Sequence, residues 1–260
     1  MAANLKLLSP WLSPEAESRE CDCVVYVYAP RSDLIFWTSA ELPLVTSLCE
    51  LVEVPGQRFS QNLFMVQPAL LKHFRFIFVL LDDILLSPAF DLRQFLSIMD
   101  RNRLTVASPR IIGANTGGGQ KFRMIMQAPP PNGSSVGYKT TFLEIFACVY
   151  TPSAYRALWS LLLPSVNPFG WGYDLWYDGF ARRRVRGHAM GIVSVFAASH
   201  QQDSVISVRA DNTSVKEKWQ AAMRQEKYFE DFLNIPLRRY RLKMRIRGKD
   251  WDGAVTGYLK

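Results

Sequence analysis

The run from Phe74 to Leu81 is apolar at every position except Arg75, and it stops at two adjacent acids, Asp82 and Asp83. An unbroken apolar segment of this length reads as a strand buried on both faces, in a sheet covered by helices. The two carboxylates cannot follow the strand into a core, because unpaired buried charges are too costly. Ligands of open α/β sheets bind beyond the carboxyl ends of the strands. Asp82-Asp83 therefore marks a candidate ligand edge, where a divalent cation would compensate the paired acids and bridge them to a diphosphate. The competing reading is a turn or cap ahead of the segment that begins at Phe90.

Around this run the chain alternates strand-like and helix-like segments. Val24 to Ala29, Leu48 to Val54, Leu104 to Ser108, Phe122 to Met126, Phe142 to Tyr150 and Met190 to Ala197 read as strands. Leu63 to Lys72, Phe90 to Arg101 (capped by Asp91), Ser153 to Leu163 and Val215 to Leu233 read as helices. Arg239 to Arg247 alternates basic and apolar residues and predicts a strand with a basic face. The expected fold is α/β, one domain with a mixed, mostly parallel central sheet flanked by helices. Residues 1–20 read as a loose lead-in, 21–205 as the domain, and 206–260 as a basic helix and strand extension packed on it.

Charge is unevenly spread over the 260 residues. Residues 1–180 hold 14 Lys+Arg against 15 Asp+Glu, while residues 181–260 hold 17 against 8. The whole excess of +8 thus lies in the final third, which suggests a basic face meeting a polyanion or simply a solvated one. The apolar content of 48% excludes a disordered chain or a disulfide-dense miniprotein. Cys21, Cys23, Cys49 and Cys148 show no zinc-site spacing and read as reduced thiols of a cytosolic protein. The first fourteen residues are too short and too broken by Pro10 and Pro14 for a signal peptide or membrane anchor.

Three further features carry chemistry. In Gly170-Trp-Gly-Tyr-Asp174 the glycines allow close approach of a ligand, Trp171 offers a stacking face, and Asp174 is a candidate general base or, alternatively, a helix cap. Glu144 stands alone among Thr140-Thr-Phe-Leu-Glu-Ile-Phe-Ala147, in phase with Phe142 and Phe146. A buried acid there must be paired, for example with Arg123, or neutralised. His200 ends the late apolar strand, where it could ligate a metal, contact a phosphate or be an ordinary surface histidine.

In this order, the acidic pair, the F-x-E segment at Glu144, the W-G-x-D segment at Asp174 and the late His200 resemble glycosyltransferases of the A-type fold. The resemblance covers roughly residues 24–202. It implies Mn²⁺ or Mg²⁺ at Asp83 and His200, with Asp82 beside them on ribose or metal. It implies that Val27, Tyr28, Ala29 and Asp33 hold the nucleotide. It further implies Asp174 as the base of an inverting transfer, Glu144 as an acceptor-side acid, and Trp171, Gly172 and Tyr173 along the acceptor. One departure is Leu81, which stands where members of this branch often carry a first acid.

The expected partners are a nucleotide-diphosphate sugar, a UDP-sugar first among them, and a glycan or glycoprotein acceptor. A cytoplasmic location is expected, with the basic extension touching an anionic membrane surface. Nucleic acid is not an expected partner. The alternatives are a basic nucleic-acid- or membrane-surface-binding module and an inactive glycosyltransferase-like scaffold.

Overall fold

The strand Met190–His200 runs through the middle of the molecule and pairs with three others. It belongs to a computed structural model that describes residues 2–12, 21–27, 41–112, 135–145, 147–200, 214–240 and 255–260. The described helices are α1 (Ala2–Leu12), α2 (Glu41–Leu48), α3 (Phe59–Met65), α4 (Leu92–Arg101), α5 (Pro152–Trp159), α6 (Tyr173–Ala181) and α7 (Val215–Asp231). The strands are β1 (Val24–Val27), β2 (Glu50–Glu53), β3 (Ile77–Leu80), β4 (Ile84–Leu86), β5 (Val106–Ile112), β6 (Gly137–Thr140), β7 (Ala147–Tyr150), β8 (Met190–His200) and β9 (Val255–Leu259).

The main sheet has the order β3-β7-β5-β8-β6-β9, with β4 also on β8. The expected mixed sheet flanked by helices is present. Its pairings lean the other way from expectation, however: β5 with β8 is parallel, while β3/β7, β5/β7, β4/β8, β6/β8 and β6/β9 are antiparallel. Burial on both faces makes a strand uniformly apolar whichever way its neighbours run, so direction was not readable from the runs. The β5/β8 register shifts between Pro109 and Arg110.

The core lies between this sheet and its helices. On α4, Phe95, Ile98 and Met99 are fully buried at helical spacing, and Asp91 caps the helix by accepting from the Gln94 N–H at 2.9 Å. Phe90 packs at 5.5 Å from Phe95 and 5.4 Å from Phe196, centroid to centroid, joining α4 to β8. Val106, Ala147 and Ile192 complete the buried strand faces.

The N-terminal residues, expected as a loose lead-in, contain α1 instead. Pro10 removes one helical donor, and the Ser9 hydroxyl takes over the stranded Lys6 carbonyl at 2.8 Å. The buried Asn4 amide donates to the Ile84 carbonyl at 2.6 Å and accepts from the Leu86 N–H at 2.8 Å, satisfying one edge of β4. The parallel pair β1/β2 begins at a disulfide between Cys23 and Cys49. That corrects the reading of four reduced thiols: Cys21 and Cys148 are not disulfide-bonded, and Cys148 is buried.

Other expectations shift in place. Leu63 to Lys72 is helical only through Met65, since Pro68 opens a series of turns. Leu237–Arg239 forms a 3₁₀ turn where a basic strand was expected to begin. The remainder of that strand, and the one expected over 122–126, lie outside the described residues. No described helix is long and apolar enough to cross a membrane.

Candidate active site

Asp82 and Asp83 occupy the turn between β3 and β4, and the pairing of β4 with the end of β8 sets Ile84 opposite His200. Asp83 precedes Ile84, so its carboxylate reaches the imidazole directly: His200 Nε2–H donates to Asp83 Oδ2 at 2.9 Å. The two residues are 117 positions apart in sequence. The hydrogen bond to Asp83 raises the His200 pKa; desolvation opposes it, and the charges of Asp83 and Glu144 reinforce it. Asp83, His200 and Glu144 therefore share one electrostatic neighbourhood. The sequence had placed these three in separate segments.

Glu144 does not lie in a strand. Residues 141–145 form an irregular segment between β6 and β7, because the Thr140 hydroxyl turns the chain by donating to the Phe142 carbonyl at 3.0 Å. The Glu144 carbonyl accepts from the Cys148 thiol at 3.2 Å. Phe146 and Arg123, named with Glu144 in the sequence reading, lie outside the described residues.

The chemistry of the donor set suits a hard cation in part. Asp83 Oδ1 is buried and accepts no hydrogen bond among the described residues, leaving one carboxylate oxygen beside an imidazole. Among the described residues no group of three His, Cys, Asp or Glu side chains could hold a metal. A Mg²⁺-like ion needs only one or two protein carboxylates when substrate phosphates and water supply the rest. Asp83 with His200 fits that pattern.

A separate candidate locus is the N-terminal end of α6. Gly172 is its cap and sits at φ +87°, a left-handed conformation that favours glycine. A Cβ at Gly172 would stand 3.1 Å from the Trp176 ring and 3.3 Å from the Ala222 methyl on α7. Asp174 lies in the first turn, where its Oδ1 accepts from the Leu175 N–H at 3.0 Å. Burial pushes its carboxyl up to about 6, against the lowering effect of backbone hydrogen bonds. The cap position, one of the two roles weighed for Asp174, is taken by Gly172 two residues earlier.

Trp171 is partly buried, while Tyr173 is fully buried. The Tyr173 hydroxyl accepts from the Leu163 N–H at 3.3 Å and donates to the Asn167 carbonyl at 3.4 Å. Tyr173 therefore packs the core beneath the loop. Val27 is buried within β1, and its carbonyl accepts from the Val54 N–H at 2.8 Å. Tyr28, Ala29 and Asp33 lie outside the described residues.

Sequence reading missed the residues that hold this loop. Fully buried Asn167 donates to the Trp171 carbonyl at 2.8 Å and to Gln225 Oε1 on α7 at 2.8 Å. Gln225 in turn donates to the Leu161 carbonyl. Ser60 on α3 donates to the Asn167 carbonyl at 2.6 Å. The available signal was weak: Gln225 falls on the buried face of α7, beside Ala221 and Ala222.

A family model described as "Protein of unknown function (DUF707)" matches residues 59–242. No curated protein sequence matches the chain. Among solved structures, the chain is similar to one described as GalNAc-T7 with UDP, GalNAc and Mn²⁺, at 10% identity and TM-score 0.47, over 69% of this chain and 37% of that one. It is also similar to TarS of S. aureus, at 12% identity and TM-score 0.44, over 94% of this chain and 44% of that one. The chain thus spans less than half the length of either structure.

Proposed function

The chain belongs to the DUF707 family, and we propose that it is a glycosyltransferase, moving a sugar from a nucleotide-diphosphate donor to a hydroxyl of a glycan or glycoprotein. The observation that carries this reading is the Asp83–His200 contact, made where β4 folds back onto the end of β8. A carboxylate and an imidazole there, with Asp82 adjacent and Glu144 in electrostatic reach, suit the diphosphate end of a UDP-sugar.

Asp83 and His200 are the residues that would hold Mn²⁺ or Mg²⁺. Held there, the cation would supply positive charge against a departing diphosphate. Asp174 acts as general base: with a carboxyl pushed up to about 6, it is ionised at neutral pH yet basic enough to accept a proton. The acceptor oxygen gives its proton to Asp174 and bonds to the anomeric carbon. The bond from that carbon to the diphosphate breaks, its electron pair leaves with the diphosphate, and the configuration inverts. The segment following Val27 would hold the nucleotide base and ribose, and Glu144 would orient the acceptor.

The Cys23–Cys49 disulfide supports an oxidising compartment in place of the cytosol expected from sequence. The decisive experiment is a screen of nucleotide sugars with Mn²⁺ for donor hydrolysis and transfer, with the product anomer read by NMR. Turnover with an inverted product is expected. Absence of turnover with every donor, or retention of configuration, would overturn the reading or its single-base mechanism respectively.

A further inference from the structure

Helix α7 was expected to belong to a basic extension, yet it forms one wall beside the Trp171 loop. Its buried face, Ala221, Ala222, Gln225 and Phe229, packs into the core, and Ala222 is the residue closest to Gly172 from outside α6. Trp219 and Met223, one turn apart on α7, remain 38% and 49% exposed. Trp219 meets Trp171 edge to face, with centroids 5.4 Å apart and ring planes at 83°. The Lys218 ammonium lies 5.9 Å from the Trp171 ring centroid.

Two indoles at right angles form a corner with two apolar walls. The Asn167–Gln225 hydrogen bond ties the two elements that carry these walls, so the corner does not depend on a ligand to assemble it. Its rim is polar on the side of Lys218. A pyranose ring has the matching distribution, with an apolar C–H face and hydroxyls around its edge. A protein surface would demand a far larger apolar area than one exposed indole and one methionine offer.

We propose that Trp219, with Trp171, is a saccharide-binding platform that seats a pyranose of the acceptor, making Trp219 a specificity-determining residue. This deepens the reading of the chain as a glycosyltransferase and rests on it for the word acceptor. Saccharide binding itself can be measured without turnover.

The test is intrinsic tryptophan fluorescence of the whole chain, titrated with lactose, cellobiose, maltose and chitobiose, and with UDP as a separate probe. At least one disaccharide should give a saturable change. Trp219→Ala should weaken that binding by about tenfold or more, as expected for loss of an aromatic anchor, and Trp219→Phe should recover part of it. Trp159→Phe, on α5, should keep the full response. A melting temperature for Trp219→Ala close to that of the parent separates lost binding from lost folding. No saccharide response, an undiminished response in Trp219→Ala, or a response to UDP alone would overturn the platform. If saccharides bind through Trp219 while no nucleotide sugar is turned over, the platform stands and the transferase reading falls.

Discussion

Asn167 and Gln225, both fully buried and 58 residues apart, share an amide–amide hydrogen bond of 2.8 Å that joins the loop before α6 to α7. Each also serves a backbone carbonyl, of Trp171 and Leu161 respectively. The loop carrying Trp171 and Gly172 is therefore held by side chains rather than by secondary structure. Replacing Gln225 by leucine leaves the Asn167 amide and the Leu161 carbonyl buried without their partner. A loss of about 2–3 kcal/mol in urea denaturation is expected. An unchanged midpoint would show that the network is not structural.

Asp174 gives two opposite pH effects. Transfer should fall on the acid side with an apparent pKa near 6, because the base must be ionised, and Asp174→Asn should remove transfer while nucleotide binding persists. Stability runs the other way. The folded carboxyl, raised from 3.8 to about 6, keeps its proton where the unfolded chain has lost it. This group's contribution to stability therefore falls as pH rises from about 4 to 6. Denaturation curves across that window should show the fall in the parent and its absence in Asp174→Asn.

Gly172→Ala combines a left-handed backbone with a methyl placed 3.1 Å from Trp176 and 3.3 Å from Ala222. Destabilisation of about 1–3 kcal/mol is expected from strain and overpacking. Thermal denaturation checks the stability, and fluorescence checks whether the Trp171–Trp219 corner is disturbed.

The disulfide joins residues separated by 26 positions. Loop-closure entropy puts its effect at roughly 3–4 kcal/mol. Cys23→Ser, or a reducing agent, should lower the denaturation midpoint accordingly. Mass spectrometry of the non-reduced protein should find Cys23 linked to Cys49, with Cys21 and Cys148 free to alkylate once the protein is unfolded.

Asp83→Ala should strongly weaken, but leave measurable, the Mn²⁺-dependent binding of UDP in calorimetry. Because Asp83 is bound to His200, His200→Ala should weaken the same binding, and the double variant should lose less than the sum of the two. Full additivity would mean that the residues act apart.

Much of the architecture was legible because its signals are local. The Asp91 cap of α4, the apolar face Leu92-Phe95-Met99, the acids after Leu81 and the His at the end of β8 all depend on neighbours within a turn or a strand. The missed elements depended on distant groups. Helix α1 tolerates Pro10 because the Ser9 hydroxyl and the docking of Asn4 on β4 make up for what proline removes. Strand β4 has only three residues and exists through its pairing with β8. Gln225 looked like one polar residue in a helix until Asn167 was beside it.

Residue chemistry alone marked which runs had to be core and where paired carboxylates could not follow them. These follow from transfer free energies, which each residue carries with it. Asp83 meets His200, Glu144 shares their field and Trp219 faces Trp171 through long-range packing alone. Those contacts cross 48 to 117 residues of chain and are set by strand register and helix docking, whose energies come from the whole core and not from the residues that meet.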